Sequence, residues 1–235
     1  MVENLRRIKD QGEIKSIKKA IRITENALAN TLRKIRIHIP EKELSALLEY
    51  EIKKRGAEGS AFDPIVAFGK RTSYPHSKPS RAKLRKGDLI KIDCGAIYRG
   101  YSSDLTRTFV LGGATKRQRR IYSFLYHAQS EAIEKIRPGI ECSRIDRVAR
   151  DIITKEGYGK FFGHGLGHGI GREVHEGPYL KVEDHTPLEP GMVLTIEPGI
   201  YIPGWGGMRI EDMVLVTEKG CEVLSKRAPE ELPES

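Results

Sequence analysis

The feature that most constrains this chain is that it repeats itself once. Shifted by 104 positions, Ile17, Ile21, Leu28 and Leu32 fall on Ile121, Leu125, Ala132 and Ile136, and Leu44 and Leu48 fall on Val148 and Ile152. Gly87, Leu89, Ile90 and Ile92 fall on Gly191, Val193, Leu194 and Ile196. Asp93 falls on Glu197, Gly95 on Gly199 and Gly100 on Gly204. Helix stripes resemble one another by chance, but glycines and acids that match at the same offset argue for a real internal repeat. The halves run over about 13–112 and 115–224.

The periods show what is repeated. Ile14, Ile17, Ile21, Leu28 and Leu32 are spaced 3, 4, 7 and 4 apart, the stripe of an amphipathic helix. Pro40 and Glu41 open a second helix that Gly56 closes. The second half answers with a helix from Lys116 to Arg137, stopped by Pro138 and Gly139, and another from Ser143 to Glu156, stopped by Gly157. After each helix pair comes an apolar run, 88–93 and then 192–197. A Gly-rich turn and a second strand, 104–110 and then 208–216, complete each half. Each half therefore reads helix, helix, β-hairpin. The expected architecture is one α+β domain over 1–235, pseudo-twofold, with central antiparallel strands covered by helices and no separate N-terminal domain.

Four acids sit at equivalent places in this scheme. Asp93 ends the run LIKID, and a hairpin folding about Tyr98–Arg99 places it opposite Asp104. Glu197 ends VLTIE, and a turn centred on Gly204 places it opposite Glu211. Like charges facing each other across a sheet repel, and burying them without a cation costs more still. A lone Asp at a strand end is a turn or capping residue. Two acid pairs converging on a pseudo-twofold axis instead call for divalent cations. A histidine ligand is expected from 161–178, FFGHGLGHGIGREVHEGP, which holds His164, His168 and His175, three of the chain's seven histidines. No window reads GxGxxG or HExxH, so neither a phosphate loop nor a zincin helix is present.

Composition bounds the setting. The start, MVENLRRIKDQGE, lacks the apolar core of a signal peptide, and no window is long and apolar enough to span a bilayer. Three scattered cysteines, Cys94, Cys142 and Cys221, suit a reduced cytoplasm. The net charge of +9 is densest from Lys70 to Lys86, which reads first as a solvated loop and second as a positive rim to an entrance or an RNA contact.

On FDPIVAFG (62–69), SYPHSKPS (73–80), GDLIKIDCGAIYRGYSSDLTRTFVLG (87–112), GHGLGHGIGREVHEGP (163–178), LEPGMVLTIEPGIY (188–201) and MRIEDMVLVTEKGCEVL (208–224), the chain resembles the pita-bread metallopeptidases. That group includes methionine aminopeptidase, Xaa-Pro aminopeptidase and Xaa-Pro dipeptidase. The resemblance implies two divalent ions held by Asp93, Asp104, His168, Glu197 and Glu211, with Asp104 and Glu211 shared between them. Manganese or cobalt is expected, with iron(II) or zinc as alternatives. His76 and His175 match the family's substrate-facing histidines, and His164 a further one of the Xaa-Pro branch. Tyr201 and Arg209 look like residues that steady the carboxylates.

The segments PHSKPS and VHEGP and the tail from Arg209 to Leu224 are most similar to the Xaa-Pro branch. The implied activity is hydrolysis of the N-terminal Xaa-Pro bond of dipeptides or short peptides by a metal-bound hydroxide, with Glu197 moving its proton. Partners are then peptides with a free N-terminus, with no membrane, no nucleic acid and a homodimer as the assembly to test for. One rival is a methionine aminopeptidase. Another is a non-catalytic pita-bread protein that binds RNA or ribosomes; such relatives generally lose metal ligands, whereas all five are kept here.

Overall fold

The computed structural model describes residues 2–234. The first half opens on α1 (Val2–Arg7) and α2 (Gln11–Leu32). Asp10 fixes the start of α2. Its carboxylate accepts from the amides of Gly12 and Glu13 at 2.7 and 2.8 Å, and Glu13 accepts from the Asp10 amide at 2.8 Å. A reciprocal cap of this kind contributes about 1 kcal/mol. α3 (Glu41–Lys54) follows, with Pro40 as its cap rather than its first residue. Then come β1 (Gly59–Ser60), β2 (Ile65–Phe68), a 3₁₀ turn at Gly69–Ser73, β3 (Leu89–Cys94), β4 (Ala96–Tyr98), β5 (Tyr101–Ser102) and β6 (Leu105–Val110).

The second half starts with α4 (Lys116–Lys135), where Thr115 and Gln118 make the same reciprocal cap as Asp10 and Glu13. α4 ends two residues before the expected Arg137. Pro138 disfavours helical backbone at the residue before it, and Ile136 is already extended. α5 (Cys142–Lys155) leads into β7 (Gly167–Gly169), β8 (Glu176–Leu180), β9 (Val193–Ile196), β10 (Gly199–Ile202), β11 (Gly206–Arg209), β12 (Asp212–Val216) and β13 (Cys221–Val223).

The repeat is visible in the sheets. One has the order β2-β3-β6 and the other β13-β12-β9-β7-β8, with every pairing antiparallel. The small ribbons β1-β4-β5 and β10-β11 extend the central hairpins. Each half buries its own helix pair. Leu44, Leu48 and Ile52 of α3 pack with Ile90 and Ile92 of β3, and Ile121, Leu125 and Ile145 pack with Leu194 and Ile196 of β9. The stripe Ile14, Ile17 and Ile21 of α2 instead meets Leu105, Val193 and Met213, which join the halves. The halves also meet through hydrogen bonds: the Glu211 amide donates to the Thr106 carbonyl at 3.1 Å, and the Thr108 hydroxyl to the Arg209 carbonyl at 2.9 Å. Buried Arg107 pairs with Asp212 at 2.7 Å at the same seam.

The register differs from the expected one in the first half. Asp93 pairs with Thr106, and Ile97 with Ser102. The turn therefore centres on Arg99–Gly100 rather than Tyr98–Arg99. Both residues have positive φ, 52° and 72°, as a two-residue hairpin turn of matching twist requires, and glycine at the second place makes this cheap. Moving the turn by one residue moves the partner by two, so Asp104 lies diagonal to Asp93 but stays on the same face. In the second half Gly199 pairs with Arg209 and Asp212 with Ile196, which puts the turn at Gly204 as expected and Glu197 beside Glu211.

The segment 70–86 also differs from a plain solvated loop. Thr72, Ser77 and Leu84 are buried in it, and Arg71 pairs with fully buried Glu41 at 3.0 Å. Among the described residues no helix is long and apolar enough to cross a membrane.

Candidate metal centre

Asp93 is the last residue but one of β3, Asp104 precedes β6, His168 is the middle residue of β7, Glu197 follows β9 and Glu211 precedes β12. All five sit at one place on the axis between the two sheets. Donor atoms of Asp93, Asp104 and Glu211 lie within 4.8 Å of one another, as do those of His168, Glu197 and Glu211. His168 Nε2 is 3.3 Å from Glu197 and 3.8 Å from Asp104. The Asp93, Asp104, His168 and Glu211 side chains are buried.

The position of His168 is set by glycine. A Cβ on Gly167 would fall 1.9 Å from the Thr195 carbonyl oxygen, so only glycine lets β7 lie this close to β9. The His168 amide donates to the Thr195 hydroxyl at 3.1 Å, and the ring Nδ1 lies 3.1 Å from the Gly169 carbonyl. Nδ1 held there turns Nε2 toward the acids, the orientation of a ligand imidazole fixed by a backbone carbonyl.

One cation, Arg209, serves four carboxylates. It donates to Asp93, to the Thr106 hydroxyl at 2.9 Å and to the Tyr201 hydroxyl at 2.8 Å, and lies 3.8 Å from Glu197. Thr106 donates in turn to Glu211 at 2.7 Å. This is too little positive charge. Burial, then repulsion from Glu211, Asp93 and Glu197, pushes Asp104 well above the ordinary carboxylate range. Burial, then Glu197 and Asp93, does the same to Glu211. Burial acts on Glu197 too, but the hydrogen bond to His168 and the charges of His168, Arg209 and His164 outweigh it and hold Glu197 low. Asp93 Oδ1 is buried with no hydrogen-bond partner. A buried, unpartnered carboxylate oxygen among acids that resist ionising, beside an imidazole nitrogen, fits divalent cations of the hard or borderline kind.

The acids lie at the bottom of a cleft of about 830 Å³, which His76, His164 and His175 also line. The ring centroids of His175 and His168 are 4.2 Å apart. His175 opens to the cleft, yet partial burial and then the charge of His168 lower its pKa. His164 is fully engaged: Nδ1 lies 2.7 Å from the Gly165 carbonyl and Nε2 3.1 Å from the Tyr201 hydroxyl. Tyr201 accepts from Arg209, so it donates to His164, and His164 donates to Gly165. Burial lowers the His164 pKa and pushes Tyr201 up to about 12, which keeps both neutral. Tyr201 therefore links Arg209 to His164 beneath the cleft.

The structure thus brings every expected site residue to one place. Two contributors were missed. Thr106 holds both Glu211 and Arg209, and it lies two residues past Asp104 on the same strand face, a signal that period-two reading could have used. Buried Lys91, two before Asp93, stands between Ile90 and Ile92 in the otherwise apolar run LIKID.

A pseudo-twofold α+β domain with acid pairs from both halves and one imidazole at the axis defines the pita-bread class of metallopeptidases. Comparison with known proteins agrees. The profile of metallopeptidase family M24 matches residues 15–218. The Xaa-Pro dipeptidase of Pyrococcus furiosus is 46% identical over 226 residues, covering 96% of this chain and 65% of that protein. The Pyrococcus horikoshii Xaa-Pro dipeptidase is 45% identical, covering 96% and 64%. The crystal structure of an X-Pro aminopeptidase from Thermotoga maritima superposes with a TM-score of 0.97 at 45% identity, covering 100% of this chain and 66% of that one. The chain spans just under two thirds of the length of these relatives. It belongs to metallopeptidase family M24.

Proposed function

We propose that this chain hydrolyses the bond between an N-terminal residue and proline in dipeptides or short peptides, using two divalent ions. The observation that carries the reading is the convergence of Asp93, Asp104, His168, Glu197 and Glu211 at the floor of a cleft lined by three further histidines. The Xaa-Pro names of the most similar relatives support the branch. Those five side chains would hold the ions, with Asp104 and Glu211 placed to serve both. Manganese or cobalt suits a carboxylate-rich set with one imidazole, and iron(II) or zinc would also be accepted. Bound ions supply acidification of a water and polarisation of the scissile carbonyl.

The chain's own groups do the rest. Glu197, held as a carboxylate, takes the proton of the attacking water and returns it to the leaving nitrogen. Neutral His175 donates a hydrogen bond to the carbonyl oxygen as charge develops there. His76, lining the same cleft, holds the peptide. His164 has both ring nitrogens occupied within the protein, so its part is to fix Tyr201 rather than to grip the peptide. Asp93 and the ion it would hold lie where the substrate α-amine would sit, which confines cleavage to the N-terminus. The separate, unpaired cysteines support a cytoplasmic setting.

The test is hydrolysis of Ala-Pro, Ala-Pro-Ala-Ala and Met-Ala-Ser by metal-stripped protein with and without manganese or cobalt. Metal-dependent cleavage before proline is expected. Release of methionine alone would transfer the chain to the methionine aminopeptidase branch. Cleavage of nothing with metal bound would refute the peptidase reading.

A further inference from the structure

Lys91 is fully buried, at 0% exposure, on the central strand β3. It lies two residues before Asp93 and so on the same face of the strand, toward the site. Its ammonium donates to the carbonyls of Thr72, Tyr74 and Pro75 at 3.1, 2.8 and 3.2 Å and stands 4.9 Å over the Tyr201 ring. An ammonium has three protons, and here all three go to one short stretch of backbone. That stretch ends at His76. Arg209 adds a longer bond to the Pro75 carbonyl at 3.4 Å.

The far side of the same segment is held separately by Glu41. Its carboxylate accepts from the Phe68 amide at 2.9 Å, the Ser80 amide at 2.8 Å and the Ser80 hydroxyl at 2.6 Å, and pairs with Arg71. Arg71 then donates to the Ser77 hydroxyl and the Lys78 carbonyl at 3.1 and 2.8 Å. The His76 segment is thus fastened at its ends from α3 and at its centre from β3.

We infer that Lys91 is a positioning residue for the proposed reaction: by gathering the Thr72, Tyr74 and Pro75 carbonyls it sets where His76 meets the peptide. This rests on the proposed peptidase function. A buried lysine that only stabilised the fold would not act through His76, and this difference is measurable. Its apolar neighbours in the strand make Lys91→Met the natural variant, since methionine keeps the length and removes the donors.

The experiment is a double-mutant cycle with His76→Ala, read as kcat/KM on Ala-Pro with manganese, alongside metal content and amide hydrogen exchange of residues 72–78 in metal-free protein. Lys91→Met is expected to lower kcat/KM about 10- to 100-fold through misplacement of a catalytic group. In the His76→Ala background the same change is expected to cost less than about twofold, because the group being positioned is gone. Metal content stays that of the parent, and exchange over 72–78 quickens while β9 and β12 are unchanged. Equal losses in both backgrounds, or full activity of Lys91→Met, would overturn the inference. If Lys91→Met fails to fold, Lys91→Gln, which retains amide donors, is put through the same cycle. If the parent cleaves no peptide, the proposed function has failed on its own. The exchange measurement then decides whether Lys91 holds the segment: quickening supports the hold, and unchanged exchange overturns it.

Discussion

Replacing Arg209 by methionine should expose how this site balances its charge. Arg209 is 3% exposed and pairs with buried Asp93 and half-buried Glu197. Its loss removes the bonds to Asp93, Thr106 and Tyr201. Asp93, whose other oxygen already lacks a partner, is left with none. Breaking a buried ion pair from one side costs about 3–5 kcal/mol, and in a chain of this size each kcal/mol moves the thermal midpoint by about 2–4 °C. The metal-free variant should therefore unfold about 6–20 °C below the parent. With saturating manganese the deficit should narrow, because a cation beside Asp93 supplies the compensation that Arg209 gave, and binding to the folded state adds stability by mass action. Thermal unfolding followed by circular dichroism in chelator and in manganese measures both gaps. Equal deficits in the two conditions, or a drop below about 2 °C in chelator, would refute the charge-balance reasoning.

Two further outcomes follow from the same site. Asp104→Ala and Glu211→Ala each remove a side chain proposed as a shared ligand and should lower Ala-Pro hydrolysis by about a thousandfold, the equivalent of several kcal/mol of transition-state stabilisation, with bound metal falling below the parent's content; either variant with parental activity contradicts the ligand assignment. Asp104 and Glu211 are both raised in the metal-free folded state by burial and neighbouring acids. Their contribution to stability is present below the ordinary carboxylate range and is lost as pH rises through the raised folded values, so the metal-free midpoint should fall over that rise. Manganese binding near neutral pH should release protons, seen as a buffer-dependent binding enthalpy, and a buffer-independent enthalpy contradicts this.

The helices and both central hairpins were legible in the sequence, because Ile17, Ile21 and Leu32 and their partners at the 104-residue offset, Ile121, Leu125 and Ile136, carry a strong period. The acids were legible because the repeat gave each one a counterpart or a cross-strand neighbour. β2 and β7 were not, for a shared physical reason. Four residues, IVAF, are too few to show a period, and GHG has almost no side chains to show one. The turn at Arg99–Gly100 was misplaced by one residue because the two acids were centred on the hairpin rather than the glycine on the turn. Lys91 was invisible because its partners are backbone carbonyls distant in sequence, which no pattern of side chains records.

An anomalous difference map from a crystal grown with manganese decides whether the five proposed side chains hold two ions. Two peaks per chain are expected, one among Asp93, Asp104 and Glu211 and the other among Asp104, His168, Glu197 and Glu211. A single peak, or peaks away from these five side chains, would contradict it.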